Sequence, residues 1–258
     1  MILFDRRMIQ VFLVKLKFNL KSEASKTYLG YVWWILEPAL YVAVLYLVFG
    51  TFRAKGSPEF VLFLICGKIP YLWFQKSVSN STMSIKGGRG LINQVRISKA
   101  FFPLLVVAQD SVKQIFVFIL MFAALVAFGL EAQVTWLLVP VIALVQLLLI
   151  VACAFLVASI TPFIPDFRFI VSTAMVLLMF MSGIFYDYRT VILEKHQALF
   201  LANPVANLLE NYRRVLLRGE SPDWLSLGVI AGSSVVVIWI MLNLYRKLDT
   251  RYARLVAG

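Results

Sequence analysis

The chain has 258 residues, of which 61% are hydrophobic and 15% charged. Soluble globular proteins have about 45–50% apolar and about 25% charged residues, so this composition excludes a soluble enzyme, a disordered chain, a collagen-like fibre and a disulfide-stapled secreted module. The formal net charge of +12 matches the Lys and Arg bias of cytoplasmic loops in membrane proteins. It does not indicate nucleic acid, because base-stacking aromatics nowhere share a polar surface with the charges.

Residues 5–22 come first. Ile9, Phe12, Leu13, Leu16 and Leu20 fall on one helical stripe, with Arg6, Gln10, Lys17 and Lys21 opposite. A basic amphipathic helix beside a first span predicts an interfacial helix on the cytoplasmic leaflet; the alternative is a cytoplasmic helix packed on its own protein. The first 31 residues are studded with charges and no small-residue cleavage pattern follows, so no cleavable signal peptide is expected.

A bilayer's hydrocarbon core needs about 20 apolar residues of helix. Six segments qualify: 32–52, 60–79, 104–130, 134–161, 169–186 and 224–245. Backbone amides in lipid must be satisfied internally, which makes these segments helices, and the short alternating strands of a β-barrel are missing. Residues 1–258 are expected to form one all-α integral membrane domain. Residues 80–103, between spans two and three, are loosened by Gly87, Gly88 and Gly90 and carry Lys86, Arg89, Arg96 and Lys99. They are either a solvated loop or a docking surface. Residues 187–223 are too charged to span. Asn203 before Pro204 is a helix start, Val205, Leu208, Leu209, Tyr212 and Leu216 form a stripe, and Gly219 stops it. This predicts short re-entrant or interfacial helices between spans five and six, one of them near residues 194–201.

Six spans put both ends on one side. The amino-terminal stretch, residues 80–103, Arg168 and the tail (Arg246, Lys247, Arg251 and Arg254) carry more basic residues than the opposite side, which holds Arg53, Lys55, Arg189, Lys195, Arg213, Arg214 and Arg218. The positive-inside rule places both ends in the cytoplasm.

Catalytic chemistry is not legible. The one histidine, His196, supports neither a metal site nor a triad, and the patterns H-E-x-x-H, C-x-x-C, G-x-S-x-G and the Walker phosphate loop are missing. Intramembrane charge is more informative, because it is costly and faces a bundle interior or a watery path. Glu37 and Lys68 fall in spans one and two, where they have the option of pairing across helices. Asp110 and Lys113 fall in span three and are placed to pair with each other. Aromatic residues cluster as well: Trp33, Trp34, Tyr41 and Tyr46 in span one, Tyr71, Trp73 and Phe74 in span two, Phe180, Phe185 and Tyr186 in span five. They read either as an interfacial belt or, since Trp33, Glu37 and Tyr41 share one stripe, as a lining on which sugar faces stack.

The order of these features resembles a known family. The run Tyr28-Leu29-Gly30-Tyr31-Val32-Trp33-Trp34-Ile35-Leu36-Glu37-Pro38 is similar to the start of span one in ABC-2-type permeases that export polysaccharides, with Leu29, Gly30 and Trp33 as its core. Further matches are residues 67–74, Gly90-Leu91-Ile92 leading to Phe102-Pro103, Ser182-Gly183-Ile184-Phe185, and Asn203-Pro204 followed by Tyr212-Arg213. One departure is Gly183, where many relatives carry Pro, which implies a less constrained end of span five. The resemblance covers nearly the whole chain.

The resemblance implies a bacterial inner-membrane channel subunit that works as a homodimer above two copies of a separate ATPase. ATP and magnesium would belong to that ATPase, and this chain would carry no cofactor and no catalytic residue. The cargo would be a lipid-linked polysaccharide: O-antigen first, capsule or teichoic acid next. Trp33, Trp34, Glu37, Tyr41, Tyr71, Trp73, Phe180, Phe185 and Tyr186 would line the channel. Arg6, Arg7 and Lys26 would attract the anchor phosphates. Lys86, Arg89, Arg96 and Lys99 would couple to the ATPase, and Asn203, Pro204, Tyr212 and Arg213 would gate the exit. The rivals are an ABC-2 permease for a small hydrophobic molecule, a membrane enzyme acting on lipid-linked sugars, and a non-catalytic scaffold.

Overall fold

In the computed structural model, residues 6–51, 58–92 and 97–257 are described, and among them every regular element is helical. In chain order these are α1 (Arg6–Ser25), a 3₁₀ turn (Gly30–Val32), α2 (Trp33–Leu45) running on as a π turn (Tyr46–Thr51), α3 (Pro58–Ser81), the short α4 (Ser84–Gly87) and α5 (Arg89–Ile92), and α6 (Phe101–Ala127). A second 3₁₀ turn (Val134–Leu138) then leads into α7 (Val139–Ile160), followed by α8 (Phe167–Met181), α9 (Tyr188–Val191), α10 (Glu194–Leu201), α11 (Pro204–Leu217) and α12 (Trp224–Ala257).

Among the described residues, four helical stretches are long and apolar enough to cross a membrane: Gly30–Val48, Phe101–Ala127, Val134–Ile160 and Trp224–Asp249. The fold is that of a multi-pass helical membrane protein. The other two expected spans differ for physical reasons. Helix α3 has 24 residues, but Glu59, Lys68 and Lys76 dilute its hydropathy. Helix α8 is apolar but has 15 residues, a rise of about 22 Å against a hydrocarbon core of about 30 Å. It stops at Met181, five residues short of the expected end, because Gly183 turns the chain with φ +66°. Helix α12 does the reverse, continuing as helix to Ala257 well past residue 245. Met241, Tyr245, Leu248 and Tyr252 lie on one face and pack beside α7. Tyr245 and Tyr252 donate to the carbonyls of Phe155 (2.7 Å) and Ser159 (3.0 Å).

Helix α1 packs on its own protein with one face. Met8, Phe12 and Leu16 pack on a buried cluster that includes Phe101, Phe102, Leu105, Phe155 and Tyr245, and the Phe12 and Phe101 rings cross edge-on at 5.5 Å. The inward stripe is rotated from the expected one, so Ile9 and Leu13 are exposed, along with Val14 and Phe18.

The main core is built by α3, α6, α7 and α11. Gln146 of α7 donates to the Pro70 carbonyl of α3 at 2.7 Å, an inter-helix bond between buried groups. Helix α11 starts and ends where its sequence says. The Asn203 side chain accepts from the Val205 amide at 3.0 Å, Pro204 opens the helix, and Gly219 follows it at φ +67°.

Arg213 pins this region. Its guanidinium stacks on the Phe63 ring, 3.4 Å from the centroid, and donates to the carbonyls of Gly183 (2.8 Å), Ile184 (3.2 Å) and Phe63 (3.4 Å). The turn after α8 is therefore held by α11, and the Gly183 departure leaves it constrained after all. Burial pulls the Arg213 guanidinium down to about 10, still well above neutral pH, so the charge remains and the fan of carbonyls is what satisfies it.

Candidate functional site

The end of α1, the Gly30 turn, α2, α3 and α6 enclose a cavity of about 310 Å³. Each helix contributes one stripe at spacing three to four: Trp33, Trp34, Glu37, Pro38 and Tyr41 from α2; Leu72, Trp73, Lys76 and Asn80 from α3; Asp110, Lys113, Gln114 and Val117 from α6. Glu23, Thr27 and Gly30 close the α1 side. Gly30 has φ +53°, a left-handed conformation that glycine adopts at little cost. It turns the chain from α1 into α2 and brings Glu23 near Trp33.

Two charge networks cross the cavity. Lys76 of α3 donates to Glu37 of α2 at 2.8 Å. Lys113 bridges two carboxylates, Asp110 at 2.8 Å and Glu23 at 3.0 Å, and Asn80 donates to the other Asp110 oxygen at 3.0 Å. Helices α1, α3 and α6 are thus tied through Asp110, which is almost fully buried. Two buried donors on residues of the lining, Trp73 Nε1 and Gln114 Nε2, have no hydrogen-bond partner among the described residues. The Trp33, Trp34 and Tyr41 rings and the three ion pairs of these networks present a surface able to hold polar, ring-faced molecules by stacking and hydrogen bonding.

The expected lining residues separate into two places. Trp33, Trp34, Glu37, Tyr41 and Trp73 meet at this cavity. Tyr71 is fully buried on another side of α3, where its hydroxyl donates to the Met175 carbonyl of α8. Phe180, in the last turn of α8, pairs with Phe185 of the following turn at 5.7 Å, and Tyr186 meets Phe200 of α10 at 6.2 Å. None of these four lines the cavity. Glu37 pairs with Lys76 rather than Lys68, whereas Asp110 and Lys113 pair with each other.

The remaining expected groups are placed as follows. Arg6 and Arg7 lie in the first turn of α1 and Lys26 lies just past its last; a 20-residue helix separates them by about 30 Å, so the three do not form one phosphate site. Lys86 is half-buried and Arg89 exposed, while Arg96 lies outside the described residues. Lys99 is not a surface residue: it is buried, with Nζ 3.4 Å from Asp249 of α12 and 3.3 Å from the Ile97 carbonyl. Asn203 and Pro204 form the start of α11. Tyr212 and Arg213 are buried and face the core, Tyr212 stacked on Phe118 at 6.1 Å, instead of being exposed at the outer surface.

Sequence reasoning missed Lys76, Asn80 and Gln114. The signal was present in part, since Lys68, Leu72, Lys76 and Asn80 recur every four residues on α3 and mark one polar face on an apolar helix.

No family model matches the chain. It is 29% identical to the O-antigen export system permease protein RfbA of Myxococcus xanthus, over 91% of both chains. A protein of the same name from Klebsiella pneumoniae is 25% identical over 92% of both. The polysialic acid transport protein KpsM of Escherichia coli is 26% identical over 90% of both. The chain is a relative, across nearly its whole length, of the permease proteins of polysaccharide export systems.

Proposed function

We propose that this chain is the membrane subunit of an ATP-driven exporter of a lipid-linked polysaccharide, with O-antigen the leading cargo class and capsule or teichoic acid next. The cavity between α2, α3 and α6 carries this reading. Its aromatic faces stack weakly on sugar C–H faces, and its charged and amide groups exchange hydrogen bonds with sugar hydroxyls. Many weak contacts let a polymer slide, whereas a small hydrophobic cargo has no use for two ion-pair networks. Relatives named for O-antigen export and polysialic acid transport over nine-tenths of the chain support the same reading.

In this account α2, α3, α6, α7, α8 and α12 cross the membrane with both ends cytoplasmic, α10 and α11 sit at the outer face, and two copies of the chain meet with the exposed flank of α2 toward the channel. Two copies of a separate ATPase dock beneath α1 and the α4–α5 segment, using Lys86 and Arg89. The open apolar residues of α1, Val14 and Phe18 among them, rest at the headgroup boundary. Lys17 and Lys21 rim an apolar groove lined by Tyr31, Trp34, Ile35 and Phe116, a better seat for an anchor phosphate and its hydrocarbon than the scattered Arg6, Arg7 and Lys26. ATP-driven motion of α1 reaches the cavity through Glu23 and Lys113.

The test is purification in detergent with the ATPase encoded beside this chain. A stable complex whose ATP hydrolysis responds to lipid-linked polysaccharide supports the proposal, and failure of any ATPase to co-purify sinks it.

A further inference from the structure

Lys68 is the intramembrane cation that the cavity's networks leave over. It lies near the middle of α3, about 15 Å along the helix from Pro58 and about 20 Å from Ser81. No carboxylate stands within ion-pair distance of it among the described residues. Among the described residues its one hydrogen-bond acceptor is the Met179 sulfur of α8 at 2.9 Å, a weak acceptor for a group with three donors. The Tyr41 and Tyr71 ring centroids lie 5.9 and 5.8 Å from Nζ, at the outer limit of cation–π attraction.

This differs from every other described lysine of the α2–α3–α6 region. Lys76 and Lys113 each hold a carboxylate at 3.0 Å or closer. An ammonium in the middle of a membrane is costly unless it serves a polar path. Lys68 is also connected to the cavity: Tyr41 lines it and stands beside Nζ, and Leu72, one turn along α3, lines it too. Lys68, Leu72, Lys76 and Asn80 form one stripe on α3 facing Trp33, Glu37 and Tyr41 of α2. Along that line Glu37 neutralises Lys76, and among the described residues no carboxylate neutralises Lys68.

We infer that Lys68 is a recognition point for an oxyanion carried by the moving glycan, a sugar carboxylate or a backbone phosphodiester, and so sets a preference for acidic over neutral polymer. This rests on the export reading above. The anion takes the donors that Met179 satisfies poorly, with the Tyr41 and Tyr71 rings within 6 Å of the ammonium. Charge-assisted bonds of this kind correspond to about tenfold in affinity.

The full chain, reconstituted with its ATPase, tests this with three lipid-linked glycans on one anchor: one bearing a uronic acid, the same glycan with that carboxyl reduced to the alcohol, and one bearing a phosphodiester. The readout is the concentration that half-maximally alters ATP hydrolysis. The wild type is expected to favour at least one acidic glycan about tenfold over the neutral one, and whichever is favoured names the oxyanion. Lys68→Met is expected to bring that ratio to about one, and Lys68→Arg to keep it. Co-purification of the ATPase and a monodisperse profile establish that the variants fold. A preference that survives in Lys68→Met, or an equal loss for all three glycans, which would assign the lysine to the anchor, overturns the inference. No response to any glycan in the wild type overturns the export reading itself.

Discussion

Lys76 reaches from α3 to Glu37 on α2 at 2.8 Å, spanning one wall of the aromatic cavity. Both side chains are about half exposed, at 44% and 47%. An ion pair so open to solvent contributes no more than about 1 kcal/mol to stability, so its main effect is on the spacing of the two helices. Glu37→Gln and Lys76→Met are expected to lower the melting temperature by only a few degrees while reducing glycan-responsive ATP hydrolysis severalfold. The charge swap Glu37→Lys with Lys76→Glu should recover at least half of that response. A swap no better than either single change would show that the pair does not act as a unit.

Asp110 and Glu23 share Lys113 but not its burial. Asp110 is almost fully buried and holds Asn80 as well, whereas Glu23 is about half exposed. Removing Asp110 leaves the partly buried Lys113 leaning on Glu23 alone and strands the Asn80 amide. Asp110→Ala is expected to cost about 2–4 kcal/mol, and Glu23→Ala less than about 1 kcal/mol. Denaturant or thermal unfolding of the two variants measures the difference, and equal costs would mean that the network is not built around Asp110.

The glycines separate sharply. A Cβ at Gly67 would stand 2.5 Å from a terminal nitrogen of Arg213, whose guanidinium is fixed by Phe63 and three carbonyls. Gly67→Ala is therefore expected to destabilise by about 1–3 kcal/mol. Gly228, in α12 with nothing within 4 Å of its added Cβ, is expected to gain up to about 1 kcal/mol on substitution by Ala. Melting temperatures of the two variants should move in opposite directions.

Much of the helical layout was legible, because apolar length and caps are local. The start of α11 at Asn203-Pro204, its stop near Gly219, the short helix at Glu194–Leu201 and the Asp110–Lys113 pair all follow from residues within four positions of each other. What failed was decided by distant residues. Arg213 looks like a polar group of an exposed outer helix until Phe63 and the Gly183 turn bury it, and Tyr212, on the helix's apolar stripe, packs on Phe118 instead of standing at an exit. Lys99 looks like a loop cation until α12 runs far enough past residue 245 to bring Asp249 to it. Of the nine expected lining residues, the five that meet lie on one face of α2 or on the adjacent face of α3; Tyr71 points around α3 to α8, and Phe180, Phe185 and Tyr186 were grouped by type alone.

Tyr212 supplies a direct check on that correction. Its hydroxyl is buried without a hydrogen-bond partner among the described residues, so Tyr212→Phe is expected to be neutral or slightly stabilising, with export intact. Asn203→Ala removes the α11 cap and is expected to cost about 1 kcal/mol. A strong loss of glycan-responsive hydrolysis in Tyr212→Phe, with stability unchanged, would restore the residue to the export path.

The most direct test of the central claim targets Trp33 and Tyr41, the exposed aromatics of the cavity, at 41% and 42% exposure. In the chain reconstituted with its ATPase, hydrolysis is measured against lipid-linked glycan for the wild type and for Trp33→Ala with Tyr41→Ala. The account predicts an intact complex whose glycan response is weakened about tenfold or more, in line with two stacking contacts of roughly 1 kcal/mol each. An undiminished response in the double variant would contradict it, because the cavity would then not be where the polymer runs.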